Sequence, residues 1–168
     1  MKFYQRIILI LAICLPSVGC DQWTKAWAAQ RLPRDQMWSY FHDVLRVGYT
    51  ENIGAFLSLG ASLTPEIRYW IFVVGVGAFL AGLTAYLVLK NLPRITLVGF
   101  TLLLSGGLSN FYDRVVNNGA VVDFLNIGIG PVRTGVFNIA DIAIMLGLAL
   151  VLFQGVRELK QIPPSDPL

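Results

Sequence analysis

The chain has 168 residues, of which 55% are hydrophobic and only 14% are charged, and its mean hydropathy is +0.63. A soluble domain would carry about a quarter charged residues, so this composition indicates that lipid surrounds much of the chain. The Lys and Arg residues are scattered between apolar runs rather than gathered on one stripe, which argues against a nucleic-acid-binding protein. Cys14 and Cys20 lie six residues apart and His42 is the single histidine, which disfavours a disulfide scaffold and a metal site.

Four apolar segments are long enough to cross a bilayer, which takes about 20 residues. They occupy residues 7–27, 69–89, 95–112 and 134–156. The second and third segments contain no charge, and the fourth contains only Asp141. We therefore predict a membrane α-helical protein with four transmembrane helices in one domain, residues 1–168, and two outer segments, residues 28–68 and 113–133.

Positive charge near the ends of the spans predicts the orientation. Lys90 and Arg94 bound the short connection between the second and third spans, and both chain ends also carry Lys and Arg. Such residues favour the cytoplasm, so both termini and the short connection are predicted to be cytoplasmic. Eight of the ten carboxylates then lie on the outer side, namely Asp21, Asp35, Asp43, Glu51, Glu66, Asp113, Asp123 and Asp141, whereas Glu158 and Asp166 lie inside.

The first span has features of a secretory signal. Lys2 and Arg6 precede an apolar run, and residues 18–20 suggest a lipoprotein cleavage site. However, Ser17 stands where such a site needs a Leu-like residue, and three further spans follow. We expect the first span to be retained in the mature protein.

The two outer segments predict a small amount of sheet. Residues 45–50 alternate in the manner of a strand, and residues 52–54 favour a turn. Thr64 followed by Pro65 is typical of a helix start, which predicts a short outer helix. The second outer segment is predicted to be irregular, with one short strand at residues 121–125.

Two carboxylates stand out as candidates for chemistry. Asp141 lies in an apolar span with no cation three or four residues away, so it is either functional or a structural cap or ion pair. Asp123 lies in an apolar stretch of strand type and by pattern alone reads as a solvated loop carboxylate. Taken together, the two acids flank one loop on the outer side. Two such carboxylates can share a proton and hydrolyse a peptide through an activated water.

Other polar groups surround these positions. Asn110 and Asp113 are three residues apart on the third span and share a face, and Arg114 follows them. Gly106 favours close helix approach. Earlier in the chain, Asp21 and Lys25 can pair with each other on the first span, and Asn52 can bind substrate backbone or close a turn.

Two other functions remain open from the residues alone. A serine protease would need a base, and the only candidates are His42 or a dyad of Lys25 with Ser109 or Ser58. A small transporter or assembly factor could use Asp141 as a proton or cation site. Transporters place such acids near mid-membrane and often show an internal repeat, and neither pattern is evident here.

Five short motifs, in order along the four spans, carry a resemblance. They are Asp-Gln-Trp-Thr-Lys at 21–25, Asn-Ile-Gly-Ala-Phe at 52–56, Asn-Phe-Tyr-Asp-Arg at 110–114, Val-Val-Asp-Phe at 121–124 and Phe-Asn-Ile-Ala-Asp at 137–141. In these motifs the chain resembles the bacterial lipoprotein signal peptidases, or signal peptidase II. The resemblance implies an aspartic endopeptidase that removes signal peptides from diacylglyceryl-modified prolipoproteins by cleaving before the lipidated cysteine.

The resemblance also implies roles for individual residues. Asp123 and Asp141 would be the catalytic dyad, without metal or cofactor. Substrate would be bound by Asn52, Gly54, Asn110, Arg114 and Asn138, with support from Asp21, Lys25, Gly106 and Asp113. It further implies a monomer in the bacterial inner membrane that contacts lipid and no nucleic acid. The active site would open to the periplasm, where a small β-cradle and a mobile helix would cover it.

The chain departs from the family pattern at two places. The Asn-x-Gly-Ala-Phe motif is one residue shorter before Phe56 than the commonest form, and Ser109 stands where glycine is usual. Both positions lie outside the implied dyad, so they concern loop geometry and helix packing rather than the reaction.

Overall fold

The computed structural model describes residues 1–55 and 59–160 of the chain. Within these residues, four helices are long and apolar enough to cross a membrane, which confirms the four predicted spans. We label them α1 (Phe3–Arg31), α2 (Pro65–Leu89), α3 (Arg94–Val116) and α4 (Ile139–Leu159). Phe56, Ser58 and Asp166, which entered the predictions above, lie outside the described residues.

Each helix extends beyond its predicted span at one end or both, and α4 also begins later than predicted. α3 continues through Asp113 to Val116, because Asp113 is buried inside the protein instead of marking the water boundary. α4 begins at Ile139, so the prediction that the fourth span starts at residue 134 is wrong. The predicted short outer helix is the first turn of α2, where the Thr64 hydroxyl caps the helix by accepting from the Ile67 N–H and Pro65 occupies the first turn.

A π-helical turn interrupts α2 early in its course. The turn covers Trp70–Gly75 and joins the first α-helical turn to the remainder of the helix. Its backbone therefore carries one bulge in an otherwise regular membrane span, a feature that often occurs at functional sites.

The two outer segments together form one antiparallel sheet. Its strands are β1 (Trp38–Tyr40), β2 (Leu45–Asn52), β3 (Val121–Ile129) and β4 (Val132–Arg133), in the order β1-β2-β3-β4. The predicted strand at residues 45–50 is confirmed, and the one at 121–125 is longer than predicted. The central pairing of β2 with β3 joins the two segments, and its register places Thr50 opposite Asp123.

The sheet lies at one end of the helices, and the short connection between α2 and α3 lies at the other. At that second end, the Arg6 guanidinium of α1 donates to the Lys90 carbonyl oxygen at 2.6 Å. Two apolar clusters stabilise the chain. One lies between the helices around Leu80, Leu87 and Leu97, and the second joins Ala28 of α1 to Phe124 of the sheet.

Glycine allows α3 and α4 to approach closely, as predicted for Gly106. A Cβ atom at position 106 would collide with the carbonyl oxygen of Ala140 and lie 2.7 Å from Ile144 Cγ1. Since a backbone atom cannot move aside as a flexible side chain can, any larger residue would force the two helices apart.

We expect Gly106→Ala to destabilise the protein by about 1–3 kcal/mol, the usual cost of overpacking. The matched control is Gly155→Ala in α4, where an added Cβ has no heavy atom within 4 Å. The free energy of unfolding, measured by SDS titration in detergent micelles, should fall for the first variant and stay level or rise slightly for the second. Equal effects of the two substitutions would contradict the close approach.

Candidate active site

Asp123 lies on β3 where the sheet passes beneath the helix ends. Residues 121–124 are all buried, and Asp123 is only 2% exposed, so the alternative reading of Asp123 as a solvated loop carboxylate is wrong. Both of its oxygens accept hydrogen bonds from amides. The Asn52 side chain donates to Oδ2 at 3.1 Å, and the Asn138 side chain donates to Oδ1 at 2.6 Å.

Asp141 lies in the first turn of α4 and forms a capping box with Asn138. The Asp141 N–H donates to Asn138 Oδ1 at 2.9 Å, and the Asn138 N–H donates to Asp141 Oδ2 at 3.1 Å. The Asn110 side chain donates to the other oxygen, Oδ1, at 2.9 Å. Asp141 is therefore a helix cap, as one alternative held. A carboxylate in this position is also stabilised as an anion by the N-terminal end of the helix dipole.

Asn138 connects the two acids. Its side chain is fully buried and donates to Asp123 Oδ1, while its backbone and side-chain oxygen form the cap with Asp141. Its side-chain nitrogen also contacts Asn110 Oδ1 at 3.1 Å. Because one residue holds both carboxylates, the strand and the helix start are fixed relative to each other.

Asp123 and Asp141 face a common cavity of about 760 Å³. Apolar side chains of α2 and α4 and the extended segment before α4 supply much of its wall, and polar groups supply the remainder. The residues that line the cavity include Asn52, Asn110, Arg114, Asp123, Asp141, Ile142, Met145 and Leu146. A cavity that combines an apolar wall with a few convergent polar groups is typical of a ligand site.

Arg114 adds a cation to this cavity. Its guanidinium donates to the Gly54 carbonyl oxygen at 2.6 Å and lies over the Phe72 ring, 5.3 Å from the ring centroid. The Gly54 N–H donates in turn to Asn52 Oδ1 at 3.0 Å. Of the five residues predicted to bind substrate, Asn52, Asn110 and Arg114 line the cavity, whereas Asn138 and Gly54 contact those that do.

The four residues predicted to support the site lie behind it. Asp21 and Lys25 form the predicted pair at 2.7 Å, but Lys25 also contacts Asp113 at 2.9 Å and Asn110 Oδ1 at 2.7 Å. Gly106 lies where α3 approaches Ala140, next to Asp141. The predicted pair is therefore part of a larger buried network that reaches the dyad.

Gln22 and Ser109 also belong to this network, although the sequence did not predict it. The Gln22 side chain donates to Ser109 Oγ at 2.9 Å and to Asp113 Oδ1 at 2.8 Å. Ser109 Oγ donates to Asp21 Oδ2 at 2.7 Å, so the serine that replaces the usual glycine is a bonded core residue. Gln22 is three residues before Lys25, on the same face of α1, and that spacing was the available signal.

The serine-protease alternative has little support in the described residues. Ser109 is fully buried and its hydroxyl is bonded to Asp21. His42 lies in the exposed turn between β1 and β2, in a left-handed backbone conformation with φ 52°. Ser58 lies outside the described residues.

The environment of Asp123 changes its protonation. Burial, followed by the negative charge of Asp141, raises the pKa of Asp123 from its ordinary value of 3.8 to about 7. The amide donors of Asn52 and Asn138 and the positive charge of Lys25 lower the pKa and oppose this shift. Near neutral pH, the Asp123 carboxyl therefore carries a proton for a substantial part of the time.

Comparisons with known proteins give one consistent result. The family model described as "Signal peptidase (SPase) II" matches residues 13–157. The lipoprotein signal peptidase of Acaryochloris marina is 35% identical over 152 residues, covering 87% of each chain. That of Oleidesulfovibrio alaskensis is 30% identical over 147 residues, covering 87% of this chain and 93% of the relative.

Two solved structures, both of bacterial membrane enzymes determined by the in meso method, have the same fold. One superposes with a TM-score of 0.80 at 24% identity and covers 95% of this chain and 94% of the other. The second has a TM-score of 0.76 at 25% identity, covering 88% and 92%. The four helices and the small sheet are thus a shared architecture.

The raised pKa of Asp123 predicts how stability depends on pH. The folded chain binds this proton more tightly than the unfolded chain, so the linked stabilisation is complete below about pH 4 and is lost as the pH rises through about 7. Asn cannot ionise, so Asp123→Asn should lose less stability than the unaltered chain over this range. Thermal unfolding midpoints in detergent, measured from about pH 4 to about pH 8, test this.

The matched control is Asp35→Asn, since Asp35 is exposed in the outer segment before β1. Its unfolding midpoints should follow those of the unaltered chain at every pH. If the Asp123→Asn curve also ran parallel to the unaltered chain, the linkage between folding and protonation of Asp123 would be refuted.

Proposed function

Since the chain belongs to the signal peptidase II family, whose members are aspartic peptidases that remove signal peptides from prolipoproteins, we propose that Asp123 and Asp141 are its catalytic pair. The observation that carries the proposal is the shared environment of the two acids. They face one cavity, and Asn138 hydrogen-bonds to both.

The geometry supports different roles for the two carboxyl groups. We assign the proton to Asp123, whose pKa burial raises to about 7, and the negative charge to Asp141 at the start of α4. Asp141 then accepts a proton from a water molecule while Asp123 donates a hydrogen bond to the carbonyl of the scissile peptide. The water oxygen bonds to the carbonyl carbon, and the carbonyl oxygen takes the negative charge.

The second half of the reaction returns both acids to their starting state. The tetrahedral intermediate collapses with cleavage of the C–N bond, and the proton on Asp141 passes to the leaving nitrogen. The released products are a carboxyl group on the signal peptide and an amine on the mature protein. The proton shared by the pair is conserved over one turnover, so the two acids need no other reactant than water.

The wall of the cavity fits a lipid-modified substrate. Met145 and Leu146 line the cavity, and each is 56% exposed, so the cavity is continuous with the outward surface of α4. In a bilayer this surface faces the acyl chains, and an apolar chain attached to the substrate could remain in lipid while the peptide reaches the acids. We therefore assign diacylglyceryl-modified prolipoproteins as the substrates, cut before the lipidated cysteine.

Aromatic residues support a position for the acids near the periplasmic surface of the inner membrane. Five exposed aromatic side chains lie on the helices near the sheet end, namely Trp23, Trp27, Tyr69, Trp70 and Tyr112. Trp and Tyr are enriched at membrane–water interfaces, and Lys or Arg at the cytoplasmic ends of spans. We propose that the sheet end faces the periplasm, and that Arg6 and Lys90 lie on the cytoplasmic side of the bacterial inner membrane.

The transporter alternative has no support. The carboxylates lie at the sheet end of the helices, in contact with β3 and the first turn of α4, rather than midway along the spans. The family comparisons likewise point to a peptidase.

Replacement of either acid should abolish peptide cleavage. We expect Asp123→Asn and Asp141→Asn each to lower the rate by at least about 10²–10⁴-fold, because each removes one half of an acid–base pair. The assay follows cleavage of a diacylglyceryl-modified prolipoprotein by the purified full-length chain, with Asp35→Asn as the matched control. Cleavage that survives either catalytic substitution would refute the assignment of Asp123 and Asp141 as the catalytic pair.

The orientation can be tested separately by cysteine labelling. In a Cys20→Ser background, His42→Cys in the β1–β2 turn and Asn91→Cys in the α2–α3 connection are both exposed positions. A membrane-impermeant maleimide added to spheroplasts should label position 42, which faces outward in our proposal, and leave position 91 unlabelled until the cells are lysed. The reverse pattern would show that the active site faces the cytoplasm.

A further inference from the structure

Lys25 lies at the centre of a buried network behind the two acids. Its side chain is 3% exposed, and its ammonium group has three partners. These are Asp21 Oδ2 at 2.7 Å, Asp113 Oδ2 at 2.9 Å and Asn110 Oδ1 at 2.7 Å. An ammonium group has three donors, so Lys25 is fully satisfied by residues of α1 and α3.

The two carboxylates bound to Lys25 each hold a backbone N–H next to a catalytic acid. Asp21 Oδ1 accepts from the N–H of Ala140 at 2.7 Å, and Ala140 immediately precedes Asp141. Asp113 Oδ2 accepts from the N–H of Val122 at 3.1 Å, and Val122 immediately precedes Asp123. One ammonium group thus connects the start of α4 with the buried part of β3.

The third partner fixes the orientation of an amide. Asn110 Oδ1 accepts from Lys25 and from the Asn138 side chain, so the Asn110 nitrogen must face Asp141. A flipped amide would direct N–H donors at the Lys25 ammonium, which has no acceptor. The charge of Lys25 therefore determines that Asp141 receives a donor instead of an opposing oxygen.

We propose that Lys25 is a positioning residue for the reaction, which sets the separation of the two acids and the orientation of the amide between them. The inference rests on the proposed function, because it takes Asp123 and Asp141 as the catalytic pair. In the described part of the chain, the cavity lining does not include Lys25. The residue acts through Asp21, Asp113 and Asn110, without contact with substrate.

The consequence for the reaction is geometric. Hydrolysis needs both carboxyl groups within hydrogen-bond reach of one water and one carbonyl, and a misplacement of about 1 Å can cost roughly 100-fold in rate. Without Lys25, Asp21 and Asp113 would face each other as like charges and move apart. Each movement would be passed to Ala140 or Val122, and so to one catalytic acid.

The test measures kcat and KM of Lys25→Met on a diacylglyceryl-modified prolipoprotein. We expect kcat to fall by between about 10-fold and 100-fold while KM changes little, since binding groups in the cavity are retained. Lys160→Met, at the exposed end of α4, is the matched control and should keep both constants.

The pH profile gives a readout that a purely structural role would not move. Asp123 is faced by Asp141 of α4, Arg114 of α3 and Lys25 of α1. The positive charge of Lys25 lowers the pKa of Asp123, so its removal should move the profile of kcat/KM to higher pH. In the charge-balanced variant Lys25→Met/Asp113→Asn the profile should move less, while kcat stays low.

The charge-balanced variant also separates positioning from folding, because it removes the cation together with one carboxylate. A variant with native unfolding behaviour, low kcat and a shifted profile supports the inference. A native kcat together with an unchanged pH profile of kcat/KM in either folded variant would overturn the inference. Failure of both variants to fold would also overturn it, because the network would then only stabilise the helix packing. Asp123→Asn is assayed in parallel: if it still cleaves, the proposed function itself fails.

Discussion

Two carboxyl groups can share one proton only where their oxygens receive donors that carry no charge. A cation bonded directly to either acid would hold that acid ionised and remove the proton from the pair. The chain meets this requirement with asparagine: Asn52 and Asn138 donate to Asp123, and Asn110 and Asn138 donate to Asp141. The cation of the network, Lys25, is kept one residue further away, where it orients an amide without contacting either acid.

This arrangement explains why the site lies where the helices meet the sheet. A strand alone would leave the carboxylate of Asp123 in water, and a membrane helix alone would leave that of Asp141 in lipid. Instead, α4 begins next to β3. The strand residue Asp123 and the cap residue Asp141 therefore share the buried Asn138. The close approach of α3 to α4 at Gly106 brings Asn110 into reach of the cap. Packing, capping and catalytic geometry are therefore aspects of one junction.

The sequence predicted the elements of this junction more accurately than their contacts. The four spans and the β2 strand follow from apolar length and alternation, which depend on local composition. Asp141 was identifiable because an acid in a membrane span has few tolerable structural explanations. Asp123 was identified only through the family motif, because the burial of a loop-like stretch depends on which other segment pairs with it. The start of α4 was placed five residues early, since the apolar residues before Asn138 have the composition of a span but are extended.

By itself, the sequence determined that the chain has four segments able to cross a membrane and, through its motifs, the family. These properties are encoded in residues close together along the chain. The tertiary structure decided that Asp21 and Lys25 extend beyond their own pair to Asp113 and Asn110, and that Asp123 is buried. Those contacts join residues up to 119 positions apart, as between Asp21 and Ala140, and only the packing of separate helices and strands brings such residues together.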